Sequence, residues 1–260
     1  SLPARAVDPA ARVAVVGGGL AGIAAASVLA GRGLRVELFE KAPYLGGKVA
    51  AWDDVDSTGA PLRVEHGFHA FFRHYHNLHR LLRSAGVDRR LVPIDDYLIL
   101  TRDGRTLSFG GVARAPIVNL LSLWRRGMYR LRDVARPRTI ARLLELLRYD
   151  PERTAARWDG VSYHRFAQEA ALPRDLRLAF STFARAFFAE DDRMSAGELI
   201  RSFHFYFLGH DDGLLYDHFD GDAGEALVAP LQALLEERGV LLHLGSEVGS
   251  LEPIEGGWTL

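Results

Sequence analysis

The apolar and polar positions mark out the chain's elements before any single residue is considered. Val13–Val16 is a short continuous apolar run of the kind that makes a buried parallel strand. An alanine-rich stretch from Leu20 to about Arg32 predicts a helix ended by Gly33, and Leu34–Phe39 then reads as a second strand closing at Glu40. Over 70–85, Phe71, Tyr75, Leu78, Leu82 and Ala85 recur at helical spacing, with Gly86 as the stop. That phase sets Arg73, His76, Asn77, Arg80 and Arg83 on the opposite, solvated face and His74 and His79 on its flanks, where hydrogen-bonded structural histidines are expected.

Further along, Leu120, Leu123, Trp124, Met128 and Leu131 can share an apolar side among arginines. Ser195 and Glu198 have capping-box spacing ahead of a helix carrying Leu199, Phe203, Tyr206 and Phe207, too apolar to be exposed and suited either to a core or to a long apolar tunnel. FARAFF, ending at Phe188, is similarly apolar, and EDD after it reads as a solvated loop. A helix over 225–238 and a strand over Val240–Leu244 return the chain to the pattern of its first forty residues.

Between the first strand and its helix, Gly17, Gly19 and Gly22 form G-x-G-x-x-G. Gly17 serves the tight turn, Gly19 lets the backbone approach a pyrophosphate and Gly22 lets helix pack on strand, with Gly18, Leu20 and Ala21 completing the loop at the helix amino terminus. Glu40 stands 23 residues after Gly17, where a carboxylate accepts both hydroxyls of an adenosine ribose and repels a 2′-phosphate, which disfavours NADP. Glu40 also opens EKAPYLGGK, with Lys41 next to it, and in that string Gly46, Gly47 and Lys48 are useful if the phosphates are approached from a second side.

Composition narrows the classes. The 260 residues, 48% hydrophobic and 25% charged, suit a folded protein of one or two domains. A net charge of −1 argues against nucleic-acid binding, and the lack of cysteine excludes disulfides and thiolate sites. No secretory signal is visible, and the longest apolar run falls short of the roughly 20 residues that span a bilayer. The expectation is a cytoplasmic protein whose contact with a membrane is at most peripheral.

Residues 65–79, EHGFHAFFRHYHNLH, hold five of the ten histidines and four aromatics. His66 and His69 precede the predicted helix in the turn leaving LRVE, and Glu65 is the one nearby carboxylate, too few ligands for a metal. Stacking on bases is disfavoured because the aromatics fall on the buried face. From Val112 to Arg148 arginines dominate, a composition that suits either an interfacial helix resting on anionic lipid or an amphipathic helix packed on its own core.

Three stretches carry a resemblance. The string E-x5-GG-K resembles the flavin amine oxidase superfamily, and Gly67, His69, Phe71, Phe72, Tyr75 and Asn77 match the G-x-H-x-F-F-x-x-Y-x-N of its carotene desaturases and aromatic-carotenoid synthases. MSAGELIRSFHFYFLG extends the likeness to the synthases, which desaturate and shift a methyl group. The resemblance implies an α/β, Rossmann-like FAD-binding domain with an inserted, mostly helical substrate domain, divided as 1–62, 63–212 and 213–260. It implies FAD as cofactor, a carotenoid or related isoprenoid as substrate and hydride transfer to flavin as the reaction. Gly67 and Phe68 would pass close to the flavin, His69 would stand near its reactive face with His66 and Arg73 behind, and Val248 would give adenine a backbone contact from the last strand.

Relatives of this kind continue into a glycine-containing segment that closes over the flavin, and GGWTL stops inside a predicted strand, so either a fragment or a shortened protein is expected. Two other readings share the motifs: a flavin amine oxidase, against which residues 65–79 count, and a non-catalytic isoprenoid-binding escort protein, which would not need the intact glycines and Glu40.

Overall fold

The computed structural model describes residues 11–113, 115, 118–127, 129–186, 189–213 and 215–260. Met128 and Phe188, assigned above to apolar faces, lie outside the described residues, as do the first ten residues in which a signal was sought.

In chain order the first elements are β1 (Arg12–Val16), α1 (Leu20–Ala30), β2 (Arg35–Glu40), β3 (Ala51–Val55), β4 (Pro61–Glu65), β5 (Phe71–Phe72), α2 (His76–Ser84) and β6 (Leu91–Pro93). Then come β7 (Leu98–Leu100), β8 (Thr106–Ser108), α3 (Val118–Arg125), α4 (Leu131–Val134), α5 (Pro137–Leu147), α6 (Pro151–Trp158), α7 (Tyr163–Glu169), α8 (Arg174–Ala186) and α9 (Ala196–Phe203). The chain closes with β9 (Tyr216–Phe219), α10 (Ala229–Glu237), β10 (Leu241–Leu244), β11 (Glu252–Ile254) and β12 (Gly257–Thr259). Five-residue π-helical segments, His204–Leu208 and Gly224–Val228, continue α9 and lead into α10.

The chain divides into two compact units. Among the described residues, the first takes those of 11–71, 75–92 and 217–260, and the second those of 72–74 and 93–216. Residues 63–71 and 75–92, assigned from sequence to the inserted region, therefore cluster with the nucleotide-type fold.

In the first unit β1, β2 and β10 form a parallel sheet in the order β1-β2-β10. A parallel sheet needs cover on its faces, and the cover comes from α1, α2 and α10: Ile23, Ala26, Leu81, Leu82, Leu231 and Leu235 bury themselves with Val15, Val36 and Leu38 of the strands. Alternation explains the strand contribution, since Val36 and Leu38 of β2 point to the core while Glu37 meets Arg12 and His243 at the sheet surface. β3 and β4 pair antiparallel over Ala51↔Glu65 to Val55↔Pro61 and deliver the chain to the histidine-rich stretch.

There the helix predicted over 70–85 is shortened. Phe71 and Phe72 are extended, Arg73 donates its backbone N–H to Leu215 O at 3.0 Å, and the helix begins only at His76. Phe71 is buried edge-to-face on Phe219, ring centres 5.0 Å apart, so it packs from a strand and not from the helical stripe. From His76 onward the predicted phase holds: Leu82 is buried with Leu78 and Ala85 packed on the same core, His76, Asn77, Arg80 and Arg83 are exposed, and Gly86 turns the chain at φ +70°, while Leu81, outside the predicted stripe, is buried as well.

The second unit is mostly helical. Trp158, Tyr163, Phe166, Phe180, Leu199, Ile200 and Phe203 form its main core, and Ile99, Leu107 and Leu123 a smaller one. Ser195 caps α9 as its spacing predicts, accepting from the Glu198 N–H at 3.2 Å. The apolar side proposed to run from Leu120 to Leu131 is broken: α3 stops at Arg125, Gly127 turns at φ +75°, and Leu131 starts the separate α4.

Candidate functional site: a glycine crossing at the amino end of α1

The turn from β1 into α1 opens with Gly17 at φ +100°, a left-handed conformation that a side chain would strain. Gly19 is the N-cap of α1 and brings no side chain to the helix end. The first intrahelical bond runs from Ile23 N–H to Gly19 O at 2.9 Å, which leaves the N–H groups of Leu20, Ala21 and Gly22 ahead of the ladder with the positive end of the helix dipole behind them.

The glycines differ in what they make room for. A Cβ on Gly22 would overlap the carbonyl oxygen of Gly17, so Gly22 is required for helix and turn to touch. A Cβ on Gly18 would enter the side chain of Leu45 at 2.5 Å and press on Glu40 at 3.1 Å. A Cβ on Gly19 would meet nothing within 4 Å. The open side of the loop is therefore at Gly19, where a bound group can lie directly on backbone.

Glu40, at the end of β2, accepts from Gly18 N–H through Oε2 at 2.6 Å and from Ala42 N–H through Oε1 at 2.8 Å. A carboxylate offers about four lone-pair sites, so two remain for ribose hydroxyls. The chain leaving β10 also comes to this point: Ser246 donates its N–H to Glu40 O at 2.8 Å and Gly245 to Ala42 O at 2.9 Å. Val248, itself half-buried, follows in an irregular segment beyond β10, a correction to its assignment within the last strand.

The second glycine pair lies against the first. Gly46 donates its N–H to Gly18 O at 2.8 Å, Gly19 and Gly46 form an isolated parallel bridge, and a Cβ on Gly47 would come within 3.1 Å of Gly19 Cα. Gly46, at φ +112°, is also closed in by Val228, whose Cγ2 would be 2.9 Å from any Cβ placed there. Lys48 sits exposed in the 3-10 turn Gly47–Val49, and Lys41 is exposed one residue after Glu40. Two glycine turns and a helix terminus thus converge on one strip of backbone, with an acidic side chain at one end.

Within the same unit, Glu65 accepts the N–H of Ala223 through Oε1 at 2.7 Å, and Asp222 joins Arg63 at 3.2 Å while accepting from Glu225 N–H at 3.1 Å. These clasps tie β4 to the start of the Gly224–Val228 segment. Sequence reading missed them; the Asp222-to-Glu225 spacing is the one local hint. His66 and Gly67 are exposed beyond the clasp, His66 lying edge-on to Trp52 at 5.0 Å, and Phe68 is 70% exposed. His69 is half-buried, and its Nε2 is buried without a hydrogen-bond partner among the described residues. Burial pushes the His69 pKa down, with His66 adding to the effect and Glu65 opposing it, so the ring is neutral near pH 7. Arg73 belongs to the second unit. Among the described residues no group of three His, Asp or Glu side chains could hold a metal ion.

The first unit has a Rossmann-like fold, and residues 15–85 match the family described as NAD(P)-binding Rossmann-like domain. The chain is homologous to proteins of carotenoid chemistry. It is 39% identical over 259 residues to the carotenoid phi-ring synthase of Streptomyces griseus, covering 98% of this chain and 50% of the relative. It is 31% identical to the carotenoid phi-ring synthase of Chlorobaculum tepidum, covering 94% and 38%, and 28% identical to a probable zeta-carotene desaturase of Synechococcus elongatus, covering 94% and 52%.

Solved structures share the fold. A putrescine oxidase triple mutant matches at TM-score 0.63 and 18% identity over 95% of this chain and 53% of that one. A cyclohexylamine oxidase from Brevibacterium oxydans matches at 0.60 and 18%, with 95% and 53% covered. The chain spans about half the length of the curated relatives it matches.

Proposed function

We propose that this protein is an FAD-dependent oxidoreductase that desaturates a carotenoid or related isoprenoid by hydride transfer to flavin. The observation that carries the cofactor is the seating of Gly46 and Gly47 on Gly18 and Gly19 beside Glu40, which leaves backbone N–H groups, and no side chain, along the open strip. That strip suits a pyrophosphate, and the two remaining acceptor sites of Glu40 suit the adenosine ribose. The substrate class rests on the likeness to carotenoid phi-ring synthases and zeta-carotene desaturases.

FAD, when bound, supplies the acceptor for a hydride leaving an allylic carbon. The chain's own residues bind and orient. Leu20, Ala21 and Gly22 offer N–H groups to phosphate, Glu40 holds ribose, and Lys41 and Lys48 add positive charge near the turn. Val248 is assigned the adenine contact, now from the irregular segment after β10. Gly67 and Phe68 supply backbone and an apolar side chain beside the ring, and His69, neutral with an unpartnered Nε2, is the polar group assigned to its reactive face. His66 is assigned a supporting place behind it. With FAD bound, a hydride would leave one carbon and a proton the next, the proton passing to bulk solvent, and the chain's contribution would be to align the polyene. The resemblance to synthases that also shift a methyl group extends the proposal to desaturation coupled to that migration. Peripheral contact with a membrane through the arginine-rich 112–148 region would bring a polyene within reach.

The visible absorption spectrum of the purified chain, with and without added FAD and after gel filtration, tests the cofactor. Flavin bands that travel with the protein are expected. Their absence here and in a chain extended to the relatives' full length would favour the isoprenoid-binding escort class.

A further inference from the structure

Glu65 closes β4 at the point where the chain turns into His66, Gly67, Phe68 and His69. Its Oε1 accepts the N–H of Ala223 at 2.7 Å across 158 residues of sequence. Two residues earlier, on the same side of the strand, Arg63 reaches Asp222 Oδ1 at 3.2 Å and Asp53 Oδ1 at 2.9 Å. Asp222 Oδ1 also accepts the N–H of Glu225 at 3.1 Å. A Cβ on Gly224 would stand 2.5 Å from Arg63 Nη2 and 3.0 Å from Ala51 Cβ, so strands β3 and β4 hold three consecutive residues, 222–224.

The Gly224–Val228 segment carries that restraint to the glycine pairs. Pro230 has no N–H to give, and its ring excludes the carbonyl of Ala226 from an α-type ladder. The wider π turn fits this need, with Ala229 donating its N–H to Gly224 O. Val228 ends the turn 7% exposed and is set on Gly46, its Cγ2 2.9 Å from any Cβ placed there. Gly46 in turn donates to Gly18 O at 2.8 Å. Gly46 and Gly47 have no side chains of their own, so they are kept on the first pair by what packs over them, Val228 and the backbone of Ala50.

We infer that Glu65 is a positioning residue for the cofactor strip: by fixing Ala223 it sets the start of a short turn whose end, Val228, keeps Gly46 seated on Gly18. Loss of the carboxylate leaves the Ala223 N–H without its acceptor and loosens that seat. The inference deepens the cofactor proposal above and rests on it for the identity of the ligand, while the link from Glu65 to Gly46 belongs to the chain itself. Glu65 also leads directly into residues 66–69, and Val228→Ala separates the two routes because it leaves that turn untouched.

Amide hydrogen exchange of the purified chain without FAD, read by NMR at single residues, tests this beside a flavin titration. In Glu65→Ala the Gly46 N–H should exchange about tenfold faster, over and above any rise shared by the amides of the central strand β2, and FAD affinity should fall about tenfold. Glu65→Gln keeps an acceptor oxygen for Ala223 and should restore both to within about threefold of the parent. Val228→Ala should speed Gly46 exchange in the same way, and combining it with Glu65→Ala should give less than the sum of the two effects. Gly46 exchange that stays at the parent rate in Glu65→Ala, or rises only as much as β2, would overturn the inference. So would full additivity with Val228→Ala, or Glu65→Gln behaving like Glu65→Ala. If Glu65→Ala does not fold by circular dichroism, Arg63→Gln, which loosens the same clasp, takes its place beside Val228→Ala with the same expected and overturning results. A parent chain that holds no flavin sinks the cofactor proposal and leaves the exchange rates to decide the role of Glu65. Flavin held with Gly46 exchange unmoved sinks the positioning role alone.

Discussion

The N–H of Gly18 donates to Glu40 Oε2 at 2.6 Å across 22 residues of sequence, so the carboxylate assigned to the ribose also pins the glycine turn assigned to the phosphates. One side chain holds two parts of the candidate site in register, and its loss should be felt in both.

Glu40→Ala removes the acceptor for Gly18 and Ala42 N–H as well as for ribose. With charge-assisted bonds worth about 1.5–3 kcal/mol each, FAD affinity should drop at least about tenfold and the thermal midpoint should fall with it. Flavin titration and a melting curve on the same variant check this. Unchanged flavin affinity would remove Glu40 from the site.

Gly19 and Gly22 should separate binding from folding. Gly19 has ordinary dihedrals, φ −74° and ψ 176°, and open space at its Cβ. Gly19→Ala should therefore fold normally yet weaken FAD binding by about tenfold or more, because the methyl occupies the strip where the group lies. Gly22→Ala forces a methyl into Gly17 O and should cost about 1–3 kcal/mol of stability. Chemical denaturation that shows the reverse order would contradict the assignment of the open side.

Ser195→Ala should lower stability by about 1 kcal/mol, the value of a lost N-cap. Ser195 also donates to Asp159 Oδ1 at 3.0 Å, which ties the start of α9 to the end of α6. A change in urea midpoint with flavin binding intact would place the effect in the helical unit.

His69 and His204 both have pKa values pushed down by burial, and Leu146 O, accepting from His204 Nε2 at 2.6 Å, only partly offsets the second. As pH falls below the ordinary histidine value of about 6.5, the unfolded chain takes up protons that the folded chain refuses. Stability is thus full above that value and declines toward acid until the folded-state values are passed. Melting midpoints measured against pH should show this slope, His69→Asn should flatten it, and an unaltered slope would mean that His69 is not held neutral by the fold.

The strand, glycine turn, helix and second strand of residues 12–40 were legible in the sequence because each signal is local: a β-branched run, glycines at fixed offsets, an alanine-rich segment and a stop. The Ser195 cap and the exposed face of α2 were legible for the same reason. The amino-terminal half of the helix predicted over 70–85 was not, because the backbone there pairs with residue 215 and Phe71 packs on Phe219, partners that no local period reveals. Distance in sequence likewise hid the clasp of Glu65 on Ala223 and of Arg63 on Asp222, and set Val248 beyond its strand. The two glycine pairs were each visible, and their purpose could be argued from sequence. Their contact, Gly46 N–H on Gly18 O, exists only once β2 has carried the chain back past its own beginning, because close backbone approach is a property of packed elements and not of spacing. The outward side of α5 is of the same kind: the sequence shows a helix rich in leucine and arginine, and only the burial of Leu146, with Leu143 packed beside it, reveals that Ile140, Leu144 and Leu147 face outward.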